Sequence, residues 1–335
     1  MKTLSINTSD ITKIFEDIRL QLGGKLEVSS KEYKLQIDNE IATGYVSGIS
    51  VENAISYMEF DIVFHENVSL LYRLFQSGCI HFGYCSKGKL TQNSEGNTTK
   101  NILGQFQTGI YSNSANKSTF LSFEKKEHVK VSIVTVDVLS VTDNELRSQL
   151  TSTFLTERAG SEFSYVGSLN LKIFEKIQHL NSIKQQGLVR SLLTNSTIYL
   201  ILALEIEQHK FDLKNSENNA SQLNQMEMES VKEISDFVRN NPEIQYSLKY
   251  LSKKSGLSPL KLQEGFKILH NRTVTDFIRN VRVEAAENLI RNSELNISEI
   301  VYTIGLTSRS YFSKIFKAKY NCCPKHYQNN LAMSM

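Results

Sequence analysis

The chain has 335 residues, 40% of them apolar and 22% charged, with a formal net charge of +3. That length exceeds what one hydrophobic core comfortably fills, so two domains are expected, and the composition excludes a disordered or fibrous chain. The four cysteines Cys79, Cys85, Cys322 and Cys323 lack any CxxC spacing, which excludes a disulfide framework and leaves them as small side chains, buried or half-buried.

Met1 to Asp10 alternates polar and apolar residues and has neither a basic nor an apolar leader segment. The longest apolar stretch, Ile198 to Leu204, is too short to span a bilayer, so a soluble cytoplasmic protein with no membrane partner is expected. The fold class that the pattern predicts is α+β. Residues 40–140 read as β structure: Met58, Phe60, Ile62 and Phe64 alternate with Tyr57, Glu59, Asp61 and Val63, and Ile80, Phe82 and Tyr84 repeat the pattern. Turn-rich segments at 86–89 and 92–97 separate the strands, and an apolar run follows from Val129 to Val138, which points to a barrel or sandwich.

From Asp143, a good helix cap, the period changes. Leu169, Ile173, Phe174, Ile177 and Leu180, then Leu188, Leu192, Leu193 and Tyr199 to Leu204, recur at helical spacing, so residues 143–205 are expected to be a helical pair. Together 1–205 form one domain. The segment 206–229 turns polar, with Asn215, Ser216, Glu217, Asn218, Asn219 and Ser221, and is expected to be a linker before a second domain at 230–335. Charge divides near the same place: residues 229–335 carry 16 Lys plus Arg against 10 Asp plus Glu, a net +6, whereas residues 1–228 are at −3. A basic domain joined to a mildly acidic one suits a nucleic-acid reader joined to something else.

The last third contains an internal repeat. Ser247 to Leu257 matches Asn296 to Leu306 at an offset of 49, and beyond the turn the offset becomes 50, pairing Leu262 with Phe312, Phe266 with Phe316, Lys267 with Lys317 and Phe277 with Tyr327. Ser247 and Asn296 are good N-caps, and Glu299 stands where a capping box needs it. Gly256 and Gly305 supply the left-handed conformation that stops a short helix, and Ser258 or Thr307 begins the next, with Pro259 tolerated in its first turn. Each copy is therefore expected to be one helix-turn-helix, at 247–268 and 296–319. Between them, Thr275 to Asn292 lacks Pro and Gly and carries Phe277, Ile278, Val281, Ala285 and Leu289 on one face. It predicts a single stiff helix of roughly 27 Å, near the roughly 34 Å between successive major grooves.

Residues 247–328 resemble the DNA-binding domain of the AraC/XylS family of bacterial regulators. The likeness rests on Ile297-Ser298-Glu299-Ile300, Gly305-Leu306-Thr307-Ser308, Ser310-Tyr311-Phe312-Ser313, Phe316-Lys317 and Pro324. The resemblance implies double-stranded DNA and RNA polymerase as partners, regulation of activator type, a homodimer, and an N-terminal domain, often a cupin-like barrel, that senses a small-molecule effector. No cofactor is implied.

With the apolar positions of each reading helix turned to the core, Leu260, Lys261, Gln263, Glu264 and Lys267 should face DNA from the first, and Arg309, Ser310, Ser313, Lys314 and Lys317 from the second. Gln263 suits adenine and Arg309 suits guanine, while lysines more often meet phosphates. Glu264 departs from the positive residue some members of the family carry there. In the N-terminal part, Ile80-His81-Phe82-Gly83-Tyr84 and Phe163-Ser164-Tyr165-Val166-Gly167 are similar to segments of the subgroup that answers to iron-siderophores, although aromatics are more often core than cage.

Two rivals stand beside the regulator. A metal-dependent cupin-type enzyme needs a ligand cluster, but His65, His81 and His128 are isolated, and a DNA-repair alkyl acceptor needs four cysteines where the N-terminal part has two. A structural protein that binds DNA without sequence preference is the other. The expectation is no catalytic and no metal-binding residue.

Overall fold

The computed structural model describes all residues except 1, 53, 74–77, 96–99, 113–117, 156–162, 216–222, 224 and 333–335. The chain divides into two compact units, Met1–Ala220 and Ser221–Met335.

The first unit runs β1 (Lys2–Ile6), α1 (Ile11–Leu22), β2 (Lys25–Ser29), β3 (Glu32–Asp38), β4 (Ala42–Glu52), β5 (Ile55–Phe64), β6 (Val68–Arg73), β7 (Cys79–Lys87), β8 (Leu90–Ser94), β9 (Asn101–Leu103), β10 (Gln107–Ser112), β11 (Ser118–Phe123), β12 (His128–Asp137), α2 (Asn144–Phe154), β13 (Phe163–Leu169), α3 (Leu171–Ser182) and α4 (Gly187–Asn215). One sheet has the order β13-β10-β7-β12-β5-β4-β3-β2 and the other β1-β6-β11-β8-β9. The β1–β6 pair is parallel and all the other described pairs are antiparallel. One apolar core joins the sheets, with Phe123 of β11 packing its ring 5.6 Å from Phe60 and 5.2 Å from Phe64 of β5.

The β structure begins much earlier than residue 40. Asp10 caps α1 by accepting from the Thr12 amide, and Ile11, Ile14, Phe15, Ile18 and Leu22 are buried at helical spacing, with Phe15 stacked on Tyr33. The stretch expected to be purely helical after 143 also contains a strand, since β13 pairs with β10 at the sheet edge.

The linker expected at 206–229 is corrected in the same way. Helix α4 continues through 206–215, because its polar side chains have partners on β13 and at the start of α3: Asp212 accepts from the Ser168 amide at 2.8 Å and the Ser168 hydroxyl at 2.7 Å, and Gln208 accepts from Asn170, the cap of α3, at 2.7 Å. The polar run Ser216 to Ser221 lies outside the described residues. Over Gly187–Lys214, α4 is long and apolar enough to cross a bilayer by length and composition. Its packed face nevertheless carries Thr194, Glu205, Gln208 and His209, all buried.

The second unit runs α5 (Gln225–Asn240), α6 (Leu248–Ser255), α7 (Pro259–His270), α8 (Val274–Asn292), α9 (Ile297–Thr303), α10 (Arg309–Tyr320) and α11 (Pro324–Ala332). Helix α5 starts within the expected linker. Met228, Val231, Ile234 and Val238 recur at helical spacing, are buried, and pack α5 against α6, α7 and α8.

Candidate nucleic-acid interface

The two copies of the repeat fold alike. Ser247 accepts from the Tyr250 amide and starts α6; Gly256, left-handed at φ 71°, ends it; Ser258 accepts from the Lys261 amide and starts α7 with Pro259 at its first position. In the second copy Asn296 and Glu299 form a complete capping box, with Asn296 N donating to Glu299 Oε2 at 2.7 Å and Glu299 N to Asn296 Oδ1 at 3.0 Å. The cap of α10 is Ser308, which accepts from the Tyr311 amide, rather than Thr307. This explains the change of offset: Thr307 is the extra residue, so Ser258 aligns with Ser308 and the two reading helices, both 12 residues long, run in step to Asn271 and Asn321, each left-handed.

The two turning glycines differ in their surroundings. A Cβ on Gly256 would meet nothing within 4 Å, whereas one on Gly305 would fall 2.2 Å from the Glu243 carbonyl oxygen. The loop before α6 lies against the second turn, and Gln245 donates to the Gly305 carbonyl.

Helix α8 joins the copies with 19 residues, about 28 Å at 1.5 Å per residue. It has two packed faces rather than one. Phe277 meets Phe266 of the first copy edge-on at 5.2 Å, while Val283, Ala286 and Ile290 enter the second core with Ile300, Phe312 and Phe316. Ile278, Ala285 and Leu289, expected on the buried face, are only half-buried. Arg282, which sequence reasoning missed, is buried on α8 and donates to the carbonyls of Pro242 at 3.0 Å and Ile244 at 2.8 Å. The available signal was its position between Val281 and Val283, both buried on the same helix.

On α7, Leu260 is 78% exposed, Lys261 and Lys267 are exposed, and Glu264 is half-buried. Lys261 forms an ion pair with Glu227 of α5. Gln263 is half-buried and its Oε1 accepts from the Val274 amide at 3.1 Å, so it serves the start of α8. On α10, Arg309, Ser310, Lys314 and Lys317 are exposed and Ser313 is half-buried. Arg309 Nη1 donates to the Ser298 hydroxyl at 3.0 Å, which holds the guanidinium at the mouth of its turn. Tyr311, absent from the expected set, is 45% exposed on the same helix. The other basic side chains are partly committed: Lys319 donates to Asn280 at 2.8 Å and Glu284 at 2.6 Å, and Lys254 lies over the Phe237 ring. At the C-terminal end of the first reading helix, burial, and then the charges of Arg239 and Arg272, lower the His270 pKa to about 3, which keeps it neutral between Phe266 and Phe277.

Elsewhere, the three histidines considered as metal ligands have separate partners. His65 meets Thr43, His81 meets Thr135, and His128 meets Asp61 and Lys87. No group of three His, Cys, Asp or Glu side chains that could hold a metal ion occurs among the described residues. Cys79 and Cys85 are buried thiols, Cys322 is half-buried and Cys323 exposed.

A family described as a helix-turn-helix domain matches residues 251–330. The regulatory protein SoxS of Escherichia coli K12 is 32% identical over 81 residues, which cover 24% of this chain and 76% of SoxS. The DNA-binding dual transcriptional regulator Rns of Escherichia coli is 25% identical over 263 residues, 76% of this chain and 88% of Rns. Histidine kinase P4 of Formosa agariphila is 36% identical over 85 residues; they make up 25% of this chain and only 6% of the kinase.

Proposed function

The chain belongs to the AraC/XylS family of bacterial regulators, and from that footing we propose that it is a sequence-specific DNA-binding transcription regulator, controlled by a small molecule held in its N-terminal unit. One observation carries the reading: two in-step helix-turn-helix copies present reading helices of equal length, joined by one helix whose length approaches the spacing of neighbouring major grooves.

On this reading Arg309 reads a base, with Nη2 left to complete a fork toward guanine while Nη1 rests on Ser298. Ser310, Ser313, Lys314 and Lys317 line the same groove, the lysines on phosphates. On α7, Leu260 offers apolar contact to a thymine methyl, while Lys261, Glu264 and Lys267 flank it and Gln263 acts mainly by holding α8. The two-sheeted N-terminal unit serves as a cupin-like sensor. The aromatics of Ile80 to Tyr84 are buried in a central strand, so they give iron-siderophores no special claim among effectors to be screened. The apolar side chains that α4 leaves exposed, Leu188, Val189, Leu192 and Leu200 among them, suit a second copy of the chain, and the protein acts in the cytoplasm as an activator in contact with RNA polymerase.

Selecting bound fragments from sheared genomic DNA tests this. A shared sequence in the enriched fragments is expected; enrichment without any common sequence would favour a structural DNA-binding protein instead.

A further inference from the structure

We propose that the effector site of the N-terminal unit is the groove between the outer face of β2 to β5 and helices α3 and α4, and that it takes an uncharged molecule with neighbouring hydrogen-bond donors and acceptors. The inference rests on the reading of that unit as a sensor.

The groove has a cavity volume of about 540 Å³, within the roughly 300–1,000 Å³ of small-molecule sites. Its floor is the polar face of the sheet, with Tyr45, Ser47 and Glu59, and its wall is Asn181 of α3 with Arg190 and Thr194 of α4. By contrast, the void inside the β structure, bounded by Tyr72, His81 and Tyr111, measures about 20 Å³, room for about one water.

Of the five charged side chains that line the groove, Glu27, Glu32, Glu59 and Arg190 are already in ion pairs. Arg190 grips Glu32 with two donors at 2.6 and 2.7 Å. Glu59, 1% exposed, accepts from Asn181 at 3.1 Å and Tyr57 at 3.1 Å and pairs with Lys130 at 3.3 Å. Glu27 pairs with Lys25 at 2.8 Å, and Lys34 lies over the Tyr45 ring. A cation would have to draw a carboxylate out of one of these pairs, and an anion would have to draw Lys34 off the Tyr45 ring, whereas a neutral molecule disturbs neither.

The neutral valences are the open ones. Thr194 is 2% exposed and its hydroxyl has no partner, an unmade hydrogen bond at the wall of a polar groove. Asn181 donates through Nδ2 to Glu59, so its Oδ1 keeps its capacity to accept, and Ser47 brings a hydroxyl to the lining of the same groove. A molecule that supplies one donor beside one acceptor, as a vicinal diol or an amide does, satisfies these groups without disturbing the ion pairs.

The test is thermal unfolding of the full chain with glucose and N-acetylglucosamine as uncharged probes, glucosamine as the cationic and glucuronate as the anionic counterpart. At tens of millimolar, at least one uncharged probe should raise the midpoint while the charged ones do not, and comparing the two uncharged sugars tells whether hydroxyls or the amide are read. Thr194→Val should raise the midpoint without ligand, because it removes an unpaired hydroxyl, and weaken binding at least tenfold. Ser47→Phe should fill the groove and abolish the shift. No shift with either uncharged probe, equal shifts with charged ones, or shifts that survive both variants would overturn the assignment. A shift that survives both variants would leave the sensor reading intact, whereas groove-dependent binding without any change in DNA affinity would keep the site and remove the sensor.

Discussion

Gln263 Oε1 accepts the backbone amide of Val274 at 3.1 Å, so a side chain in the middle of the first reading helix also caps the helix that joins the two copies. The second copy has no counterpart to this contact in its reading residues, where Arg309 leans on Ser298 instead.

The two residues should consequently fail differently. Gln263→Ala is expected to lower stability by about 0.5–2 kcal/mol, as loss of a cap does, and to weaken binding to all sites alike. Arg309→Ala should leave stability nearly unchanged, cost about 1–3 kcal/mol in binding and relax preference at one base pair. Chemical unfolding beside competition binding on single-base variants separates them; single-position relaxation in the Gln263 variant would reverse the assignment.

The turning glycines should rank in a stated order. Both are left-handed, which costs an alanine about 1–2 kcal/mol, but only at Gly305 would the added Cβ also press on the Glu243 carbonyl. Gly305→Ala is therefore expected to lower the unfolding midpoint at least twice as much as Gly256→Ala, and equal losses would mean that the loop before α6 yields freely.

Where the DNA-binding unit begins is also testable. A fragment from Ser221 should fold and bind DNA, while one from Glu229 lacks Met228, which is 1% exposed, and with it about 1.5–3 kcal/mol of burial. Comparing their unfolding midpoints checks this, and a fragment from Glu229 that is equally stable would show that the first turn of α5 is dispensable.

That boundary shows what the sequence hid. The repeat was legible because caps, turning glycines and core positions recur together, and local chemistry alone dictates them. Helix α5 carries its own period in Met228, Val231, Ile234 and Val238, but the Glu and Lys between them lend it the composition of a linker. Asp212 and Gln208 read as solvated for the same reason, since only the fold shows Ser168 and Asn170 waiting for them. The strand at Lys2–Ile6 and the one at Phe163–Leu169 are short and pair with distant partners, β6 and β10, which leaves no local mark, whereas β3 alternates Tyr33, Leu35 and Ile37 and was legible in principle. Among the proposed reading residues, helical period gave the exposure of Leu260, Lys261, Lys267, Arg309, Ser310, Lys314 and Lys317 but not the half-burial of Gln263, Glu264 and Ser313, and the commitments of Lys261 and Gln263 depended on α5 and α8 and could not be read locally.

Glu205 gives a pH dependence with a definite sign. It is 1% exposed, its Oε2 has no partner, and burial pushes its carboxyl well above the usual range. Tyr84, Tyr111 and Tyr165 lie within reach of its charge, His209 follows one turn on in α4, and among the described residues no cation acts on it. The unfolded chain ionises near the ordinary carboxylate pKa while the folded one does not, so this stability is fully present below that pH and is lost as pH rises above it. Glu205→Gln should raise the unfolding midpoint at pH 7, by about 2–4 °C per kcal/mol recovered, and change little near pH 4. A midpoint lowered at pH 7 would mean that the ionised form is the one the fold holds.

On this reading one chain reads two successive segments of the major groove with α7 and α10. Affinity for the selected site measures it directly when about five base pairs, half of the roughly 10–10.5 base-pair turn, are inserted between the segments each helix protects. At least a hundredfold loss is expected, restored in part by inserting a full turn only if the two copies can bridge it from separate chains. Unchanged affinity after the half-turn insertion would contradict it, because α8 is too stiff to let the two reading helices part.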